Sequence, residues 1–145
     1  MPASSATAAA YAAAHASPLN PIAHRLGLLG LVPFVLGALL ALLVREEVYP
    51  LVLHALAGYA AVIVSFLGAI HWGLGMRASI PSPVPFVWGV VPALIASIAV
   101  IMPPDAGLVI QGLMLVICYL VDRKVYPAHG LSHWLTLRFR LTVVA

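Results

Sequence analysis

Long apolar runs broken by short charged punctuation dominate the chain. Its charged residues are Arg25, Arg45, Glu46, Glu47, Arg77, Asp105, Asp122, Arg123, Lys124, Arg138 and Arg140. The first gap, 26–44, holds 19 uncharged residues. As a helix it is about 28 Å long at roughly 1.5 Å per residue, which matches a hydrocarbon core of about 30 Å. A second run, 51–76, is long enough to span with tilt. Third and fourth runs cover 86–102 and 106–121, the last slightly short, so that it borrows a residue at each end. The pattern predicts an all-α integral membrane protein of four transmembrane helices with no charge inside any span.

Prolines agree with these limits. Pro50 opens the second span where a missing N–H costs nothing. Pro81, Pro83 and Pro85 form a stiff linker, and Pro103-Pro104 ends the third span. Pro33 and Pro92 lie within spans, where neighbouring helices can satisfy the freed carbonyls, so two kinks are expected. A moving hinge is the functional alternative.

Residues 1–25 read as an Ala/Pro-rich flexible tail, its end laid along the membrane surface near Pro18 and Pro21. The stretch lacks both the basic start of a secretory signal and the arginines of a mitochondrial presequence. Residues 123–145 read as a basic interfacial segment. There Leu135, Leu137, Phe139, Leu141 and Val143 alternate with polar residues, the period of an extended strand. A lone strand would leave its edge unpaired. The segment is therefore expected either as a short interfacial helix with Arg138 and Arg140 among phosphates, or docked on another chain.

Composition closes off other classes. Of 145 residues 63% are hydrophobic and 8% charged, against about 45–50% and about 25% in soluble domains. Eleven charges cannot clothe a soluble fold. The single cysteine, Cys118, excludes a disulfide scaffold. Four spans put both termini on one flank, and that flank carries Arg25, Arg77, Arg123, Lys124, Arg138 and Arg140 against Arg45 alone opposite. By the positive-inside rule both termini are cytoplasmic, or face the matrix in a mitochondrion. The net charge of +3 thus reflects topology, and no nucleic-acid partner is implied. Arg77, Arg123, Lys124, Arg138 and Arg140 are the expected interfacial anchors.

The second span carries the unusual residues. Ala57, Ala61, Ser65, Ala69 and Gly73 recur every fourth position, a small-residue ridge that permits close helix approach and is expected as the central packing seam. The ridge drifts by about 40° per step on a 3.6-residue helix. His54 and His71 share this helix, about 25 Å apart along it. A bis-histidine haem within one chain is therefore excluded, while a single-histidine site or a haem bridging two chains stays open. Both imidazoles are expected near the interfaces, His71 beside Trp72 in a structural or quinone-contacting role. Gly73-Leu74-Gly75 is expected to cap the helix. Tyr59, Ser97, Gln111 and Tyr119 are expected to bond between helices, and Cys118 to pack as a small apolar group. The spans lack the ionisable relay groups of a pump, and no metal, cofactor or catalytic motif is visible.

The run from Tyr59 to Gly73, with its Ser65-Phe66-Leu67-Gly68-x-x-His71-Trp72-Gly73 string, resembles the signature of a membrane-protein family of unknown function. That family includes transmembrane protein 69 and many proteobacterial inner-membrane proteins. The resemblance runs from about Leu26 to Thr142, taking in Asp122-Arg123 and the Leu137-Arg138 to Leu141-Thr142 ending, and leaves out the first 24 residues. It implies a multi-pass protein of the bacterial inner or mitochondrial inner membrane and brings no activity with it. Ser65, Gly68, His71, Trp72 and Gly73 are the positions that would carry a function.

The expectation is a non-catalytic accessory or assembly subunit. Its partners are membrane lipids and the other membrane-protein subunits of a larger complex, respiratory or photosynthetic for example. The alternative is binding or passage of a small apolar ligand, a quinone or lipid, at a cleft near His71 and Trp72.

Overall fold

A computed structural model describes residues 20–145. Its helices are α1 (Pro21–Leu29), α2 (Val32–Leu43), α3 (Tyr49–Arg77), α4 (Val84–Ile101), α5 (Pro104–Val125) and α6 (Leu135–Val144). Two short 3-10 turns, Tyr126–His129 and Ser132–Trp134, join α5 to α6. Four segments are long and apolar enough to cross a membrane: Pro21–Leu43, Tyr49–Arg77, Val84–Ile101 and Pro104–His129. The four-span, all-α reading therefore stands.

Boundaries differ from expectation in instructive places. The expected tail lies outside the described residues up to position 19, but Pro21 to Arg25 already belong to α1, whose first turn is capped by the Asn20 side chain accepting from the Ile22 N–H at 2.9 Å. The first span breaks between α1 and α2, where Leu31 N–H turns back to the Leu28 carbonyl at 3.0 Å. Pro33 sits in the first turn of α2, where its missing N–H is harmless. By contrast α4 runs continuously through Pro92. Gly73 and Gly75 do not cap α3, which continues to Arg77. Gly75 instead lies against Phe86 and Pro85 at the start of α4.

Spans two to four make the core. Val64 and Leu67 of α3, Ala96 of α4, and Met114, Leu115 and Cys118 of α5 form one buried cluster. The first span is peripheral, with Phe34 its one buried side chain. Phe34 meets Tyr59 edge-on, ring centres 5.2 Å apart. The Tyr59 hydroxyl donates to the Gly30 carbonyl at 2.8 Å, satisfying an acceptor at the break. Ser97 bonds its own helix at Ala93, Tyr119 lies against Phe139, and Gln111 is buried with no hydrogen-bond partner among the described residues.

The small-residue ridge is not the packing seam. On α3 the buried positions are Leu53, Ala57, Ala60, Val64, Leu67, Gly68 and His71, whereas Ala61 and Ser65 are half-buried and Ala69 and Gly73 exposed. Steps of four, three, four, three and four from Leu53 to His71 average the 3.6-residue period, so that row stays on one face. A strict step of four rotates away from it. The seam and the ridge coincide only at Ala57.

Small residues nevertheless set the closest approaches. A Cβ added at Gly68 would stand 2.5 Å from the Gly89 carbonyl oxygen, and one at Gly107 would collide with the Ala99 carbonyl. Bare backbone on α3, α4 and α5 is what lets these helices touch.

A buried polar cluster as the candidate functional site

The face of α5 that meets the core carries Gly107, Gln111, Met114, Leu115, Cys118 and Asp122. Asp122 therefore does not mark the exit of the fourth span. The helix runs on to Val125, and Asp122 is 1% exposed, inside the bundle. A carboxylate placed there needs partners, since an isolated buried charge is very costly.

Arg138 supplies the main one. The 3-10 turns reverse the chain and lay α6 back across the bundle, where Leu137 and Arg138 turn inward. Arg138 Nε donates to Asp122 Oδ2 at 2.8 Å, and Nη2 donates to the same oxygen. Arg138, 6% exposed, is thus not an interfacial anchor: its position on the inward face of α6 puts it over the carboxylate. Arg77, Arg123, Lys124 and Arg140 are exposed, as anchors must be.

His71 faces the other carboxylate oxygen. Its Nε2 stands 3.5 Å from Asp122 Oδ1, close enough for electrostatic contact but outside hydrogen-bond geometry. Both ring nitrogens, Asp122 Oδ1 and the nearby Trp88 Nε1 have no hydrogen-bond partner among the described residues. Trp88 meets the His71 ring edge-on, centres 6.3 Å apart. His71 is buried in the joint of α3, α4 and α5 and not displayed at an interface, because its turn of α3 is the one facing α5. His54 is exposed and hydrogen-bonds the Pro50 carbonyl on its own helix at 2.9 Å.

The signature string is explained by this joint. Gly68 allows the Gly89 backbone to approach. Trp72 donates from Nε1 to the Phe86 carbonyl at 2.9 Å and lies over Gly89. Leu67 fills the core, and His71 reaches Asp122. Ser65 bonds the Ala61 carbonyl of its own helix at 2.8 Å, and a Cβ added at Gly73 would meet open space. Gly68, His71 and Trp72 thus meet α4 and α5, while Ser65 and Gly73 do not join the site. The missed members, Asp122 and Arg138, had two sequence signals: Asp122 is the sole acid on a flank otherwise basic, and both residues fall within the family resemblance.

A cleft of about 620 Å³ opens elsewhere, between the first span, α3 and α6. Phe34, Ile63, Phe66, Ile70 and Leu141 give its apolar walls, and Arg138, Tyr126 and Thr142 its polar side. Neither His71 nor Trp72 lines it, since Trp72 is turned to α4. Of His71, Asp122 and Arg138, only Arg138 lines this cleft.

Comparison with known proteins agrees with this architecture. Transmembrane protein 69 of Xenopus tropicalis is 38% identical over 127 residues, covering 83% of this chain and 49% of the frog protein. The chain therefore spans about half the length of that relative. No solved structure matches. Four apolar helices make the chain a multi-pass membrane protein, and because residues 19–145 match the family described as protein of unknown function (DUF3429), the chain belongs to that family.

Proposed function

We propose that the chain is a non-catalytic accessory or assembly subunit of a bacterial inner or mitochondrial inner membrane, packed against a larger complex such as one of the respiratory or photosynthetic chain. The observation that carries this reading is the outward surface of α3. Ala69 and Gly73 are exposed there, and Gly58 and Gly73 have open space where a side chain would stand. Small residues facing lipid gain little, whereas they let another helix approach closely. The core of this chain leaves them unused.

Six of the seven basic residues fall on the flank that holds both ends of the described chain. That bias supports cytoplasmic or matrix-facing termini. The buried Asp122–Arg138 pair supports a helix-joining role, since each group spends its charge on the other.

Native electrophoresis of gently solubilised host membranes tests the reading. The chain is expected to migrate well above its 15.2 kDa, and Gly73→Leu is expected to release it to the lone-chain position. A wild-type chain that runs alone contradicts it.

A second reading, binding or passage of a small apolar ligand such as a quinone or lipid, is favoured by the cleft between the first span, α3 and α6.

A further inference from the structure

We infer that this cleft is a binding site for one glycerophospholipid drawn from the leaflet on the basic flank. One acyl chain lies between the first span and α3, an ester carbonyl sits against Arg138 and Thr142, and the anionic head rests among the flanking basic residues. The inference rests on the ligand-binding reading above and names its ligand.

Depth identifies the leaflet. The α3 residues lining the cleft run from Ile70 to Ile63, a rise of about 10 Å, which is roughly a third of the hydrocarbon core. The polar lining is at the α6 end, and Arg138 there is bonded to Asp122 near the end of the fourth span. The cleft thus opens toward the flank holding the chain ends and reaches about the middle of the bilayer, since Ile63 is the midpoint of α3. A lipid of that leaflet has its head and tail in the same order.

Polar groups identify the part of the lipid held. Arg138 commits Nε and Nη2 to Asp122 Oδ2, leaving Nη1 for an acceptor. Thr142, one turn further along α6, has a buried hydroxyl without a partner among the described residues, and it lines the same cleft. An unpartnered buried hydroxyl is costly, and an ester carbonyl between the two donors relieves it. Because Asp122 balances the charge of Arg138, a neutral acceptor suits this spot better than a phosphate. The phosphate is drawn instead to the flank, where Arg25, Arg77, Arg123, Lys124 and Arg140 are exposed. Basic juxtamembrane surfaces of this kind attract anionic lipid.

Native mass spectrometry of the full chain, delipidated in detergent and reloaded from an equimolar mixture, provides the test. The mixture holds dioleoyl phosphatidylglycerol, dioleoyl phosphatidylcholine and a long-chain ubiquinone. One phosphatidylglycerol per chain is expected to persist at collision energies that strip the phosphatidylcholine. Ala23→Trp, which adds bulk at the cleft wall outside the core, is expected to lower retention about tenfold, and Thr142→Val about threefold. Both variants should keep the wild-type melting temperature, which separates lost binding from lost folding. Retention of ubiquinone in preference overturns the lipid assignment while leaving ligand binding intact. No retained molecule, or equal retention by wild type and Ala23→Trp, overturns both.

Discussion

Arg138 closes onto Asp122 across sixteen residues of chain, its Nε 2.8 Å from Oδ2, and this pair ties the final helix to the fourth span. The contact is buried on both sides. Leu137 is buried beside the pair and Phe139 lies against Tyr119, while Arg140, Val143 and Val144 are exposed.

Breaking one half of the pair should cost more than removing both. Asp122→Asn or Arg138→Gln is expected to destabilise the fold by about 3–5 kcal/mol, because a buried charge is stranded. The double variant Asp122→Leu/Arg138→Met should recover most of that loss. Thermal unfolding in detergent measures all three, and a double variant as weak as the singles contradicts the pairing.

Glycines of the signature string should differ sharply. Gly68→Ala drives a methyl against the Gly89 carbonyl and is expected to cost about 1–3 kcal/mol through overpacking. Gly73→Ala meets open space and should be neutral or slightly stabilising for the lone chain, since alanine is the better helix former. Equal effects at the two sites would show that α3 and α4 do not meet at Gly68.

Four charge-free runs made the spans legible in sequence to within a few residues, because ionised groups are expelled from lipid. The fourth span was read too short because Asp122 stands beside Arg123 and Lys124, and the three together look like an exit. Only the α5 face separates them: Asp122 falls in line with Gln111 and Cys118, while the two basic residues turn outward. His71, Gly68 and Trp72 were legible as unusual, but their partners Asp122, Gly89 and Phe86 lie on other helices, and no local pattern encodes that pairing. The period-two alternation over Leu135–Val144 did not hide the helix, which was one of the two expected forms, but it gave no sign that Arg138 turns inward. Leu137 and Arg138 are neighbours on a helix whose inward face is chosen by Asp122.

Loss of one hydrogen bond should loosen the first span. Tyr59→Phe removes the hydroxyl that donates to the Gly30 carbonyl, a loss of about 1 kcal/mol. Amide hydrogen exchange should rise around Gly30 and Leu31 while the α3–α5 core stays protected. Unchanged exchange there would mean that the break needs no support from α3.

Side-specific thiol labelling tests the threading most directly. In a Cys118→Ala background, single cysteines replace Glu46, Ser79 or Ala145, each exposed. Ser79→Cys and Ala145→Cys should react with an impermeant reagent from one and the same side of sealed vesicles, and Glu46→Cys only from the other. Labelling of the Ser79 and Ala145 positions from opposite sides would contradict the four-span architecture.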